Sequence, residues 1–374
     1  MNETEARLAR IRGRTLAKTH NARTIAALAS NPGCARRAIM DAAGADKQRI
    51  AACAGFPAPF GQSRFALGRG NAFEAQVKAD GAAELLTLLR DHLNLPIPEA
   101  HYDDLSEVGG SASLDLRHAR TRALLARAAT AGTPEGTMFD HPLLRLEVGG
   151  RHAFLEPDLI AFQVHGRFRV VEIKSFAVID GQADGAKVAA AAIQSAVYVL
   201  ALRGALAEQG VAPEAVSHET ILVCPRDFSN RPVATSLDVR KQLTVLGRQL
   251  SRIARIDDLL DLLPNDLTFD LDPDGGGAPR RSPADLTRAI QQIDARYAPE
   301  CLSRCEMCFF CRDEARGCTA ALGRDAREEL GGVEHIETVL RLARDADAPA
   351  DLAEAAGLLR TAARLRGETL AEAS

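Results

Sequence analysis

The stretch PDLIAFQVHGRFRVVEIK, residues 157–174, alternates apolar and polar side chains on either side of a short turn. This period of two predicts a β-hairpin with strands over 158–164 and 167–174. Two runs before it, 143–148 and 152–155, follow the same pattern. We therefore expect four successive strands that form a meander, between flanking segments with helical periodicity.

The hairpin brings two carboxylates and one ammonium group together. Side chains alternate across a strand, so Glu172 and Lys174 project from one face, and Asp158 can reach that face from the adjacent strand. Neighbouring carboxylates repel, and a divalent cation between them relieves the repulsion; oxygen ligands favour Mg²⁺ or Mn²⁺. A metal there can polarise a phosphate, and the ammonium can stabilise the charge that develops on it. The pattern indicates phosphodiester hydrolysis; the alternative is a surface salt bridge on a hairpin.

Two predicted helices carry further polar residues. In the helix after the hairpin, Gln194 and Tyr198 share one face, and Lys187 lies two turns earlier on the same stripe. These groups can hold a nucleic-acid backbone and base, whereas the alternative is a helix with one buried aromatic residue and a polar edge. Upstream, Glu74 lies in a long helix predicted over 70–95. It can supply a third carboxylate, or it can simply interact favourably with the helix dipole.

Five of the eight cysteines lie within CLSRCEMCFFCRDEARGC, residues 301–318. A reducing compartment disfavours so dense a disulfide framework, and short spacers let several thiolates converge on one metal. Zinc and a cubane iron–sulfur cluster each take four ligands, and the spacing alone does not choose between them. The alternative is a run of free thiols on an amphipathic helix. Cys53 and Cys224 are interpreted as small buried hydrophobic residues.

The composition is that of an ordinary globular protein. The chain has 374 residues, 46% hydrophobic and 26% charged, which excludes wholesale disorder. A net charge of -4 excludes a globally basic nucleic-acid coat. A helix predicted over 4–29 carries Arg7, Arg10, Arg14 and Lys18 at helical spacing, and this face either guides a phosphate backbone or is simply solvated. No secretory signal or membrane-length apolar run is visible, so we expect a cytoplasmic protein.

Three of these features resemble the motifs of a known nuclease superfamily. Asp158, the triplet Glu172-Ile173-Lys174 and the run Gln194-Ser195-Ala196-Val197-Tyr198 look like the motifs of the PD-(D/E)XK superfamily. The Q-x-x-x-Y element is typical of its RecB-like branch, which includes the CRISPR-associated exonucleases and the AddB nuclease domain. The resemblance covers about residues 30–320. It implies an α/β fold: a restriction-endonuclease-like core with a central mixed sheet flanked by helices, plus helical ends clasped by a Cys-ligated cluster. The corresponding segments are an N-terminal helical segment at 1–69, a nuclease core at 70–272, a Cys-rich segment at 284–323 and a helical tail at 324–374.

The resemblance also implies roles for individual residues. Asp158, Glu172 and the Ile173 carbonyl would bind Mg²⁺ or Mn²⁺, and Lys174 would be catalytic. Gln194 and Tyr198 would shape the active site and contact DNA. Where this branch often has a metal-binding His, four residues after a Gly, the present chain has Glu74, which is a workable oxygen ligand.

In related proteins, one Cys before the nuclease core and three after it hold a structural [4Fe–4S] cluster. Cys34 matches the first. The usual spacing after the core is C-x2-C-x5-C, and two sets here depart from it by one residue each: Cys301-x3-Cys305-x5-Cys311 and Cys308-x2-Cys311-x6-Cys318. The first set, with Cys34, is preferred, and zinc is the alternative metal.

The expected function is that of a metal-dependent deoxyribonuclease, acting as an exonuclease on single strands or ends. The alternative is a catalytically inactive, cluster- or zinc-stapled nucleic-acid-binding subunit of a repair or defence complex. DNA is the expected partner in both cases. The sequence contains no P-loop, so a helicase or other repair or defence protein would be supplied in trans; no membrane partner is expected.

Overall fold

The computed structural model describes most of the chain. The described residues are 3–31, 33–58, 64–94, 100–106, 114–130, 136–149, 151–162, 167–227, 229–253, 255–271, 281–345 and 347–372. The helices in these ranges are α1 (Glu3–Arg12), α2 (Ala22–Ser30), α3 (Ala35–Ala43), α4 (Lys47–Cys53), α5 (Arg64–Val77), α6 (Ala79–Leu93), α7 (Leu114–Thr130), α8 (Gly185–Ala207), α9 (Arg240–Ile253), α10 (Ile256–Leu260), α11 (Pro283–Gln291), α12 (Cys301–Arg304), α13 (Cys308–Glu314), α14 (Arg324–Glu329), α15 (Ile336–Arg344) and α16 (Ala353–Glu372).

Eight strands are present in the same ranges. They are β1 (Ala100–Asp104), β2 (Gly136–Asp140), β3 (Leu144–Val148), β4 (Arg151–Leu155), β5 (Leu159–Phe162), β6 (Phe168–Ile173), β7 (Glu219–Pro225) and β8 (Pro232–Asp238). Six of them form one sheet in the order β1-β2-β5-β6-β7-β8. The pairs β1–β2 and β6–β7 are parallel, and the other neighbours are antiparallel. The expected mixed sheet flanked by helices is therefore confirmed.

The chain divides into two compact units. The sheet unit comprises Lys18–Ala29 and Gly61–Asp258, and the cysteine unit comprises Met1–Ala17, Ser30–Phe60 and Leu259–Ser374. Each is described separately below.

In the sheet unit, alternating side chains give the two faces of the sheet separate apolar cores. On β6, Phe168 and Val170 belong to the core that includes α7, α8 and α9, whereas Val171 and Ile173 belong to the core that includes α5 and α6. Glu172 continues the alternation of Phe168 and Val170 and so lies on the α8 side of the sheet. A charged residue in this position is enclosed by apolar neighbours.

In the cysteine unit, the first and last parts of the chain pack together. The Phe269 amide donates to the Ile11 carbonyl at 2.7 Å, and the Arg36 amide donates to the Asp294 carbonyl at 2.9 Å. Gly13 approaches the same segment so closely that a Cβ there would lie 2.5 Å from the Asp270 Cα. The backbone at Gly13 is left-handed, with φ of +78°, which glycine adopts without steric cost.

The single helix predicted over 4–29 is wrong. Gly13 ends the first helix, and Asn21 begins the second as an N-cap whose Oδ1 accepts from the Thr24 amide at 2.9 Å. The expected basic face is also used internally, within the cysteine unit. Arg7 donates to the Leu263 carbonyl and Arg14 to the Asp270 carboxylate, while Arg10 donates to the carbonyl of residue 265. These arginines therefore bind the protein itself, which weakens the expectation that they guide a phosphate backbone.

Two other element predictions need correction. The long helix over 70–95 is interrupted after α5, because Asp80, Gly81 and Ala82 have left-handed backbone angles. The meander does not form, because β3 and β4 make a separate two-stranded sheet. Three further strands, β1, β2 and β8, were not predicted. The predicted turn at 165–166 lies outside the described residues.

Within the described residues, α8 is the one helix with the length and apolar composition to cross a membrane. Half of its most apolar window is buried in the protein, and the core helix of a soluble protein has the same composition. Eleven of its residues, including Ala196, Val197 and Leu202, are buried. This packing is consistent with a core helix of a soluble protein.

Candidate active site

The structure brings Asp158, Glu172 and Lys174 together, as the hairpin predicted. Asp158 immediately precedes β5, and its Oδ2 accepts a hydrogen bond from the Ile173 amide at 2.7 Å. Lys174 follows β6, and its Nζ lies 3.9 Å from the same oxygen. The Lys174 Nζ also contacts Glu172 Oε1.

Glu172 is the most enclosed member of this group. Its side chain is 0% exposed, and its Oε2 has no hydrogen-bond partner among the described residues. Burial, with the nearby Asp158 carboxylate, raises the pKa of Glu172 to about 8. Burial also raises the pKa of Asp158, although the Lys174 ammonium opposes this shift. Burial lowers the pKa of Lys174, but Glu172 and Asp158 outweigh it, so the net pKa is raised and the ammonium is retained.

Glu74 lies beside these residues and is held by a second lysine. The Lys78 Nζ contacts Glu74 Oε1 and lies 2.6 Å from Asp140 Oδ1. The Glu74 carboxylate contributes to the raised pKa of both Asp158 and Glu172, so it is close enough to act on them. Its two ionic contacts, with Lys78 and with His141, are both made by Oε1.

His141 links Glu74 to a further carboxylate. The His141 Nε2 lies 3.5 Å from Glu74 Oε1 and 3.1 Å from Lys78 Nζ, while its Nδ1 lies 3.0 Å from Glu156 Oε1. The His141 amide donates to the Asp158 carbonyl at 3.4 Å, which ties the end of β2 to the start of β5. Arg117 Nη2 lies 3.2 Å from Glu156 Oε2 and anchors that carboxylate in turn.

Carboxyl groups outnumber basic groups among these residues. The network comprises five carboxyl groups and three permanently charged cations. The carboxyl groups belong to Glu74, Asp140, Glu156, Asp158 and Glu172, and the cations to Lys78, Arg117 and Lys174. The hydrogen bond to Glu156 raises the pKa of His141, and burial raises that of Glu172, so bound protons offset part of the negative charge in the ion-free protein. A divalent ion could take the place of those protons.

Gln194 and Tyr198 lie together on α8, as expected, and Lys187 does not join them. The Gln194 Nε2 donates to the Tyr198 hydroxyl at 3.0 Å. Burial and the neighbouring Glu172 carboxylate raise the pKa of Tyr198 well above its ordinary value, so the phenol stays neutral beside the carboxylates. Lys187 lies in the exposed first turn of α8, and among the contacts of the described residues none joins its ammonium to the carboxylate group.

The cysteine unit contains five of the predicted ligands, and two buried arginines, Arg36 and Arg37, lie near three of them. Cys34 immediately precedes α3, Cys301 begins α12, Cys305 follows it, and Cys308 and Cys311 lie on α13. All eight cysteines are free thiols, and Cys301, Cys305, Cys308 and Cys311 are buried. Cys318 pairs through its backbone with His335 and is half-buried.

Contacts between the thiols and the arginines show which cysteines face one another. Arg36 Nη1 donates to Cys311 Sγ at 3.2 Å and contacts the Glu314 carboxylate. Burial raises the pKa of Cys311 to about 12, and Cys305 and Cys34 add to the rise. Burial likewise raises the pKa of Cys305 to about 11. Cys34 and Cys305 therefore lie within electrostatic reach of Cys311, and the thiols of Cys305 and Cys311 are protonated at neutral pH.

No preformed metal centre is visible in the described ranges. No group of three or more His, Cys, Asp or Glu side chains within them is arranged as a set of metal ligands. The cysteines and carboxylates are thus neighbours, but they are not arranged around an open position for a metal ion.

The sequence prediction missed five residues of the carboxylate network: Lys78, Arg117, Asp140, His141 and Glu156. The position of Glu156, two residues before Asp158, could have indicated that it belongs to the site. His141 had a weaker one in the run Asp140-His141-Pro142, which follows a strand that was not predicted. Lys78 is one of six lysines in the chain and lies one helical turn after Glu74.

No family model, curated protein or solved structure matches this chain. The function is therefore inferred from its own residues.

Proposed function

We propose that this chain is a Mg²⁺- or Mn²⁺-dependent nuclease that hydrolyses phosphodiester bonds in DNA, acting as an exonuclease on single strands or ends. The resemblance to the RecB-like branch of the PD-(D/E)XK superfamily implies this activity and a restriction-endonuclease-like core. DNA is the proposed substrate, and a helicase or other repair or defence protein, supplied in trans, is the proposed partner. The cytoplasm is the proposed location.

The observation that carries the proposal is the buried carboxylate of Glu172. A fully enclosed carboxylate with one oxygen lacking a hydrogen bond is costly unless it holds a proton or a further cation binds it. The same network holds four other carboxyl groups and the Lys174 ammonium. This donor set fits a divalent cation with oxygen ligands.

The residues have distinct proposed roles. Asp158, Glu172 and the Ile173 carbonyl would bind the cation, and Glu74 would supply a third carboxylate. When bound, the cation would polarise the phosphate and acidify water. Lys174 would stabilise the negative charge that develops on the phosphate, because its ammonium lies next to both carboxylates. Gln194 and Tyr198 would shape the active site and contact DNA with their linked amide and hydroxyl groups.

The cysteine unit is proposed to hold a structural [4Fe–4S] cluster, with zinc as the alternative. The thiols of Cys34, Cys305 and Cys311 fit this role, because they are neighbours and two guanidinium groups offset thiolate charge. Cys301 is the proposed fourth ligand. Cys308 is one alternate ligand, and Cys301 contributes to its raised pKa, so the two thiols lie within electrostatic reach. Cys318 is the second alternate.

A second candidate is a catalytically inactive nucleic-acid-binding subunit. Lys174 and Lys78 already contact Glu172 and Glu74, so two of the carboxylates have internal cations. In addition, no three potential ligands in the described ranges are arranged as a metal site. Both observations favour a site that has kept its charges but does not hold a metal.

A cleavage assay separates the two candidates. The protein is purified anaerobically and incubated with 5′-labelled single-stranded and duplex DNA, in Mn²⁺, in Mg²⁺ or in EDTA. The nuclease proposal predicts metal-dependent cleavage that Lys174→Ala lowers by a factor of about 10²–10³. The exposed Lys241→Ala is the matched control and should cleave normally. Binding without cleavage by the wild type would support the second candidate.

An iron and sulfide assay on the same preparations tests the cysteine centre. Cys34→Ser should lose most of the iron and sulfide, and Cys53→Ser should retain both. Zinc in place of iron would establish the alternative metal, whereas a protein with neither would refute the centre.

A further inference from the structure

Lys78 occupies a point where three acceptors converge. Its side chain is 8% exposed, and its Nζ contacts Glu74 Oε1, lies 2.6 Å from Asp140 Oδ1 and lies 3.1 Å from His141 Nε2. Glu74 Oε1 and His141 Nε2 lie at hydrogen-bonding positions, and Asp140 Oδ1 is an ion-pair partner. Three polar atoms therefore surround the ammonium.

The acceptors are themselves held in place. The Tyr102 hydroxyl donates to Asp140 Oδ2, and Glu156 lies 3.0 Å from the Nδ1 of His141. When His141 is neutral with its proton on Nδ1, donated to Glu156, the Nε2 lone pair faces Lys78. His141 also has a left-handed backbone, with φ of 48°, which is uncommon for a residue other than glycine and persists only where its surroundings fix it. The arrangement is built into the fold.

Two carboxylate oxygens and one imidazole nitrogen form a donor set that Mn²⁺ and similar ions accept. In this chain an ammonium already fills the point between them. We infer that Lys78 is a resident cation that takes the place of a second divalent ion, so that the site binds one divalent ion rather than two. Lys78 would thus be a positioning residue, since it holds Glu74 by Oε1 within electrostatic reach of Asp158 and Glu172.

The geometry agrees with this stoichiometry. With Lys78 present, its ammonium lies between Glu74 Oε1, Asp140 Oδ1 and His141 Nε2. Without the Lys78 side chain, these three atoms surround an open position. Removing the Lys78 side chain should therefore create a second ion site.

The inference rests on the proposed function for the first ion, and it is tested without an activity measurement. Mn²⁺ bound per chain is measured at neutral pH, after removal of metals with EDTA, from the electron paramagnetic resonance signal of free Mn²⁺. The variants are Lys78→Ala, the double variant Lys78→Ala/Asp140→Asn, and Lys241→Ala as the exposed-lysine control. Mn²⁺ is chosen because thiols bind it poorly, so the cysteine unit does not contribute.

The expected stoichiometries are one Mn²⁺ for the wild type and the control, two for Lys78→Ala, and one for the double variant. Two ions on the wild type, or one on Lys78→Ala, would overturn the inference and leave the nuclease proposal standing. No Mn²⁺ on any of these proteins would overturn both. If Lys78→Ala is unfolded in EDTA, recovery of its circular dichroism on refolding with Mn²⁺ supports the second site, and failure to recover argues against it.

Discussion

The Ile173 amide donates a hydrogen bond to the Asp158 carboxylate at 2.7 Å. The Asp158 side chain is therefore held by the backbone between Glu172 and Lys174. Ile173 is buried in the α5–α6 core, and Glu172 and Lys174 flank it on the opposite face of β6. The bond therefore joins the end of β6 to the start of β5. It sets where the carboxylates of Asp158 and Glu172 stand relative to each other.

Because of this hydrogen bond, two substitutions can test the structural role of Asp158 and the role of its charge separately. Asp158→Asn keeps an oxygen that can accept from Ile173, whereas Asp158→Ala leaves a buried amide without a partner. We expect both variants to lose cleavage, but only Asp158→Ala to lose stability, by about 1–3 kcal/mol. Urea unfolding of the two variants and the wild type in EDTA measures the difference. Equal losses of stability would show that the hydrogen bond does not position Asp158.

A second prediction concerns the stability of the cysteine unit and the Arg36 guanidinium. It is buried, donates to the Ile293 carbonyl and Cys311, contacts Glu314 and lies over the Phe310 ring at 5.4 Å. Arg36→Met leaves Glu314 without its partner, so we expect a loss of about 3–5 kcal/mol. The exposed pair of Arg316 and Asp313 is the control, and Arg316→Met should cost about 0–1 kcal/mol. Similar unfolding midpoints for the two variants would contradict this ranking.

The hairpin part of the site could be predicted because it depends on local periodicity alone. Glu172 and Lys174 are two residues apart on one strand, so a period of two puts them on one face. His141 and Glu156 could not be placed in the same way, because their meeting depends on β2 lying beside β5. That pairing is set by the sheet topology, and β2 itself was not predicted.

The errors have the same origin. Arg7, Arg10 and Arg14 have the spacing of a basic face, but their acceptors lie about 250 residues later in the chain. Helical spacing does not show such partners. The spacing of Cys301, Cys305 and Cys311 similarly placed them near each other, while the approach of Cys34 depends on how the two ends of the chain pack.

Gly13 gives a prediction about that packing. A Cβ at this position would lie 2.5 Å from the Asp270 Cα, and its φ is +78°. Gly55 has a similar φ of +88° and nothing within 4 Å of the corresponding point. Gly55→Ala should cost about 1 kcal/mol from backbone conformation alone, and Gly13→Ala should cost more because the backbone must also move. Chemical denaturation measures both, and equal losses would mean that the close approach to Asp270 relaxes freely.

Glu172 gives the prediction that depends on pH. Its folded-state pKa is raised to about 8 from an ordinary 4.5, so the folded chain holds this proton more tightly than the unfolded chain. The resulting stability is fully present below pH 4.5 and is lost as the pH rises to about 8. Glu172→Gln has no such proton to lose. In EDTA we therefore expect similar stability for the variant and the wild type near pH 5, and a growing advantage of the variant up to pH 8.

The size of this advantage has an upper bound of about 5 kcal/mol, because each pKa unit corresponds to about 1.4 kcal/mol. Melting temperatures between pH 5 and pH 9 measure it. Adding Mn²⁺ should narrow the gap by stabilising only the wild type, since an ion that binds the folded state raises its melting temperature. Glu172→Gln should meanwhile cleave no DNA. A gap that does not change with pH would mean that the Glu172 carboxylate is not held in a costly, buried state, and the main support for a metal site would be lost.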